Sequence, residues 1–200
     1  DPAPNPRRLK LFLKLKGIEI ETHQVDMMTA EQLSDDYRKI NPSCTVPALV
    51  TDDGTVLTEV IGIYIYLEAL YPEHPLLGST ALERAQTISG CHHVFSGLMM
   101  SIASALRNRG KGFINRALPG PVDVPQIPDL VDRGILLINH ILPRLDDHLG
   151  NSTWMAGDNF TVADIDLLVS IEFLSWIKQS IPDECSHLKA WYERATAQVA

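Results

Sequence analysis

Three stretches of this 200-residue chain put groups at spacings that could hold a ligand or activate one. The first is "CTVPALV", Cys44 to Val50, where a proline heads an apolar strand. Proline gives no N–H to a sheet ladder and belongs at edges, strand starts or bulges, so Pro47 is at minimum the start of an edge strand. The second is Glu59, at the N-terminal turn of an apolar helical run. Unpaired backbone N–H groups there can hold a carboxylate while the Glu side chain takes an ammonium; the bland alternative is a charge that complements the helix dipole. The third is "PNPRR", in which Asn5 precedes Pro6 at the start of a helix and suits an N-cap.

Other reactive residue types carry less. Cys44, Cys91 and Cys185 are odd in number and far apart, which supports neither a disulfide framework nor a metal centre. A lone cysteine beside a strand, such as Cys44, ordinarily packs as a small hydrophobe. His92 and His93 are neighbours and so point to different helix faces, which argues against a shared metal, and Met99-Met100 reads as core packing. Arg107, Arg109 and Lys111 form a basic cluster that could touch an anionic ligand; most such clusters are solvated surface.

Composition narrows the classes further. With 25 acidic against 17 basic residues the net charge is -8, the wrong sign for a protein that grips a phosphate backbone. No nucleic acid is expected as partner. No uninterrupted apolar run of about 18 residues exists, and "DPAPNPRRLK" lacks the apolar core of a signal peptide, so no membrane is expected and the chain reads as soluble and cytoplasmic. Its first residue is Asp rather than Met, so the natural start can lie upstream.

The elements that must position these groups follow from periodicity. "RRLKLFLKLKG" predicts an amphipathic helix with Leu9, Phe12 and Leu13 on one face and a stop at Gly17. "IEIETHQVD" alternates Ile18, Ile20 and Thr22 against Glu19, Glu21 and His23, which predicts a strand. "TAEQLSDDYRKINP" predicts one helix capped at Thr29 and stopped by Asn41-Pro42. "TVPALVT", the turn at Asp52 to Gly54 and "TVLT" predict a hairpin, followed by the buried helix "EVIGIYIYLEALYP". A sheet opening on a helix lacks a strand to feed it, so a first strand before Asp1 is expected. Pro72, Pro75 and Gly78 mark a linker, after which only helical patterns recur. "ALERAQTISGCHHVFSGLMMSIASALRNRG" is one extended or kinked helix, "PGPVDVPQIP" an irregular loop, and Thr161 with Asp164 makes a capping box ahead of a long apolar helix, with Phe160 placed to staple onto Ile165. The expected architecture is α/β plus all-α.

"APNPRRLKLFLKLKGI", "NPSCTVPALV", "LTEVIGIYIYLEALYP" and "WMAGDNFTVADIDL", in this order and spacing, resemble the cytosolic glutathione S-transferase superfamily of bacterial type, over nearly the whole chain. The resemblance implies a thioredoxin-like glutathione-binding domain over residues 1–73, a linker at 74–80 and an all-helical C-terminal domain at 81–200. It also implies a homodimer, glutathione as co-substrate, no metal, and a role in detoxification.

Site roles come from the same resemblance. The Val46-Pro47 bond is cis in such proteins, and the N–H and C=O of Val46 pair with the cysteinyl part of glutathione as an added strand does. Glu59 and the Val60 N–H take the γ-glutamyl end, although relatives have Glu-Ser or Asp-Ser where this chain has Glu59-Val60. Thr45 stands where many relatives carry a basic residue for the glycyl carboxylate. Tyr, Ser or Cys, the usual partner of the thiolate, is missing from "DPAPNPRR"; Asn5 stands where bacterial relatives with a Pro-Asn motif use the side-chain amide, and the N-cap role remains its alternative. Cys44 lies near enough for a mixed disulfide to be conceivable. The implied reaction is attack of glutathione thiolate on an electrophile, or reduction of a disulfide or peroxide; glutathione-dependent dehalogenation or isomerisation is a second enzyme reading. A non-catalytic module that binds a protein partner is the rival of a different class.

Overall fold

The computed structural model describes residues 3–200; residues 1 and 2, with which the expected first domain begins, lie outside the described residues. Helix α1 runs Pro4–Lys16 and closes on Gly17 in the left-handed conformation (φ 65°), which glycine adopts without a Cβ penalty. Residues 18–26 alternate as expected near their start, with Ile18 buried and Glu19 exposed, but form no ladder. Alternation fixes which side chains turn inward, whereas a strand also needs a neighbour with free N–H and C=O groups, and none pairs with this segment among the described residues.

The single helix expected over 29–40 is two pieces. A 3₁₀ turn spans Glu31–Leu33, and α2 spans Asp35–Ile40 with Ser34, not Thr29, as its cap: Ser34 Oγ accepts the Tyr37 N–H at 3.2 Å. Asp26 and Glu31 divert the earlier segment, because Asp26 Oδ1 takes the N–H groups of Met28 and Thr29 while Glu31 takes the Asp26 N–H. Short β1 (Leu49–Val50) and β2 (Val56–Leu57) pair antiparallel, Leu49 with Leu57 and Val50 with Val56, around the expected turn. Helix α3 follows at Val60–Leu70.

Residues 71–80 are held in place. Glu68 of α3 accepts the N–H groups of Leu76 and Leu77 (2.9 and 3.0 Å), and Lys16 of α1 pairs with Glu68 at 2.9 Å while donating to the Glu73 carbonyl. Beyond them α4 (Ala81–Val94) and α5 (Met100–Arg107) form one kinked helix joined by a π turn at Phe95–Met99. Helices α6 (Asp129–Gly150), α7 (Val162–Leu174) and α8 (Ser186–Gln198) complete the bundle. Every residue of α7 except Glu172 is buried, so it is the axis on which α1, α4 and α8 pack. Its box is as expected: Thr161 Oγ1 takes the Ala163 N–H and Asp164 the Thr161 N–H. Asp164 also accepts from Met155 N–H and Trp191 Nε1, tying three segments together, and Phe160 meets the Trp154 ring edge-on at 5.0 Å. Among the described residues no helix is long and apolar enough to cross a membrane.

Candidate functional site

The loop from α2 into β1 is built on Asn41, whose side chain is fully buried. Its carboxamide donates to the Thr45 carbonyl (2.8 Å) and Thr45 Oγ1 (3.1 Å) and accepts the Ser43 N–H, while Tyr37 Oη donates to the same Thr45 carbonyl at 2.6 Å. These bonds fix the backbone up to Thr45 and bury Cys44, which sits at φ 54°. The next bond, Val46-Pro47, is cis. The Val46 N–H and C=O have no hydrogen-bond partner among the described residues. Val46 is half-buried, so its amide and carbonyl are a donor and an acceptor still available beside the cis bond.

The hairpin carries this point to the start of α3. Two residues beyond the Leu49–Leu57 pair stand Pro47 on one side and Glu59 on the other. Glu59 is the N-cap of α3, exposed, with no cap bond and no ion pair from its carboxylate; the Ile63 N–H closes the first helical turn on its carbonyl, leaving the N–H groups before it free. Val60 is buried, and its N–H is one of those left without a partner among the described residues.

Helix α1 delivers Asn5 to the same end. Arg8 lies over the Tyr64 ring (5.9 Å), Phe12 packs on Tyr64 (4.8 Å) and Lys16 pairs with Glu68, so the two helices run in the same sense and their N-termini lie together. Asn5 is the second residue of α1; the N-cap is Ala3 and Asn5 makes no cap bond, which removes the N-cap alternative. Instead Asn5 Oδ1 accepts from Arg8 Nη1 at 3.0 Å.

Arg8 is 4% exposed and binds Asp166, 0% exposed, through Nε (2.7 Å) and Nη2 (2.5 Å). Burial alone would weaken the hold of the guanidinium on its proton, but the Asp166 carboxylate outweighs it and leaves Arg8 above the ordinary arginine value. Burial lifts Asp166 above the usual carboxylate range, opposed by Arg8. Burial and the nearby Asp166 charge push the Tyr64 hydroxyl and the Cys91 thiol upward, keeping both neutral.

The basic cluster expected at the surface is part of the structure. Arg107 is partly buried, donates to the Ala117 carbonyl and stacks on Phe113 at 4.6 Å, and Arg109 donates to the Ile177 carbonyl at 2.8 Å. They shape the loop between α5 and α6, and Gly120 of that loop (φ 115°) lies beside the Ser43 carbonyl, next to the candidate site. A separate groove of about 650 Å³ between α4 and α6, lined by Gln86, Ser89, His93, Arg144 and His148, contains none of the site residues. Among the described residues no group of three or more His, Cys, Asp or Glu could hold a metal.

Asn41, Tyr37, Arg8 and Asp166 escaped the sequence reading as site residues. Asn41 was visible only as a helix stop, and Arg8 only as a charge on an amphipathic helix. The available signal was Asp166, an acid set between Ile165 and Leu167 past the capping box of a mostly apolar helix, which demands a buried partner.

Comparison with known proteins agrees with this architecture. Residues 3–70 match the profile of the glutathione S-transferase N-terminal domain and residues 129–198 that of the C-terminal domain. Glutathione S-transferase 2 of Saccharomyces cerevisiae is 28% identical over 96% of this chain and 81% of its own length. The crystal structure of a glutathione S-transferase domain-containing protein of Marinobacter aquaeolei superposes with a TM-score of 0.90 at 30% identity, covering 99% of this chain and 96% of that one. Gtt2 of Saccharomyces cerevisiae superposes with a TM-score of 0.88 at 26% identity, covering 100% and 97%. A small thioredoxin-like unit followed by a helical bundle, matched over both halves and superposing end to end on such a relative, makes this chain a glutathione S-transferase-like enzyme belonging to the cytosolic glutathione S-transferase superfamily.

Proposed function

We propose that the end of the molecule where α1, α3 and the Val46 loop meet binds glutathione and presents its thiolate to an electrophile. The γ-glutamyl carboxylate sits on the Val60 N–H and its ammonium on Glu59; the cysteinyl backbone pairs with Val46 beside Pro47; the glycyl end lies by Thr45. The Asn5 amide and the α1 N-terminus stabilise the sulfur. The thiol proton leaves to solvent, sulfur bonds to the electrophilic atom, and the leaving group departs with its electron pair. In this reading residues 1–73 form the binding unit, 74–80 the linker and 81–200 the helical unit.

The observation that carries the proposal is the unpaired N–H and C=O of Val46 beside an exposed, unpartnered Glu59 at a free helix N-terminus. The exposed apolar residues Ile65, Tyr66 and Leu70 on α3 support a homodimer, and the conjugation fits cytoplasmic detoxification. Ile114, Leu118 and Val122, exposed on the loop that reaches Ser43, favour an apolar electrophile over a disulfide or peroxide.

The test is retention on immobilised glutathione followed by calorimetry. Glu59→Ala is expected to weaken binding roughly tenfold, the loss of one charge-assisted bond. Asn5→Ala is expected to slow turnover with little change in affinity. No retention at millimolar glutathione would hand the protein to the non-catalytic module reading, and an equal loss of rate and affinity in Asn5→Ala would remove the role given to the amide.

A further inference from the structure

A buried guanidinium with all its bonds accounted for is an orienting device, and Arg8 has one bond more than its ion pair needs. Nε and Nη2 grip both oxygens of Asp166, and the remaining Nη1 donates to Asn5 Oδ1. The Tyr64 ring at 5.9 Å and the Phe95 ring at 5.6 Å stand beside the guanidinium, the latter supplied by the π turn. Asp166 is itself fixed, taking a bond from the Tyr64 hydroxyl (3.4 Å), while its backbone carbonyl receives Ser170 Oγ.

We propose that Arg8, held by Asp166, is the positioning residue that locks the Asn5 carboxamide with its N–H₂ turned to the glutathione sulfur, an inference that rests on the Asn5 role above. A carboxamide near a helix start otherwise turns freely or bonds local backbone groups. With Oδ1 turned to a cation, the carboxamide presents Nδ2 on its other side as a donor, and Nδ2 has no partner among the described residues. The positive charge on the acceptor side also polarises the amide and strengthens that donation. Lysine cannot replace the fork, because a point charge cannot grip both Asp166 oxygens and still hold Asn5 in plane. Buried ion pairs are weak sources of stability, which leaves specification of a geometry as the use for this one.

The test reads the thiol pKa of bound glutathione from the ultraviolet absorbance of the thiolate, in protein saturated with glutathione. Arg8→Lys is expected to raise that pKa by about one unit, about a tenfold drop in thiolate fraction, at near-constant glutathione affinity. Asn5→Ala is expected to do the same, and the double variant no more than either alone. If the two changes multiply, Arg8 acts apart from Asn5 and the inference is overturned while the Asn5 role stands. If Asn5→Ala leaves the thiol pKa and the rate unchanged, both fall. Should Arg8→Lys not fold, wild-type protein decides by NMR: the Asn5 side-chain amide, assigned by its loss in Asn5→Ala, is expected to be as rigid as backbone, with an order parameter of about 0.85, and a value below about 0.6 would overturn the inference.

Discussion

Val60 stands at the proposed γ-glutamyl contact, and the structure says what a serine there would do. The side chain is 3% exposed, so Val60→Ser removes apolar burial from the first turn of α3 while placing a hydroxyl beside the free N–H groups. The loss of packing is expected to cost about 1–2 kcal/mol of stability. A new bond to the γ-glutamyl carboxylate is worth about 1 kcal/mol, so the glutathione Kd is expected to fall roughly fivefold by calorimetry. An unchanged Kd would place the γ-glutamyl end elsewhere. Residue type was a good guide at this scale for Pro47, which follows a cis bond, and for Glu59, which starts α3 as its N-cap. It was a poor guide for Asn41, because no spacing rule says which carbonyl a buried amide will reach across a tight loop.

At the scale of elements, the cap of α7 was legible and the partners were not. Thr161 with Asp164 announces its box in four letters, and Thr80 with Glu83 makes another at the start of α4. By contrast "IEIETHQVD" shows the right alternation but forms no ladder, and Thr29 loses its cap role because its hydroxyl donates to the Asp26 carbonyl while its N–H goes to Asp26 Oδ1. The apolar run of α7 hides its packing, since a helix buried on every side has no stripe to read. The second box carries a pH prediction. Glu83 accepts the N–H groups of Ser79 and Thr80, which hold its carboxyl below the ordinary 4.5. A carboxylate depressed in the folded state adds stability above its unfolded pKa, and that share is lost as pH falls through 4.5 and below. Glu83→Gln is therefore expected to flatten the acid limb of a melting-temperature profile while leaving the order of melting at neutral pH little changed, the group being exposed. A Glu83→Gln profile parallel to wild type down to the acid end would remove this role.

At the scale of the whole molecule, α1 belongs to the first unit by sequence and to the bundle by packing. Arg7 with Glu172 (2.5 Å) and Arg8 with Asp166 rivet it to α7 about one turn from its start, and Lys16 with Glu68 secures its other end. The Arg7 pair is partly exposed and screened, whereas the Arg8 pair is dry. Removing one member of the dry pair strands a charge, so Asp166→Leu alone is expected to cost about 3–5 kcal/mol in denaturant melts. Replacing both, Arg8→Met with Asp166→Leu, fills the space with apolar groups and is expected to restore wild-type stability or exceed it by about 1–4 kcal/mol. The same double variant frees the Asn5 amide, so its bound glutathione thiol should stay about tenfold less ionised than in wild type even though the fold is intact. Recovery of both stability and thiolate in the double variant would mean that the pair serves only to join the two halves; recovery of stability alone separates what holds α1 on α7 from what aims the residue at its tip.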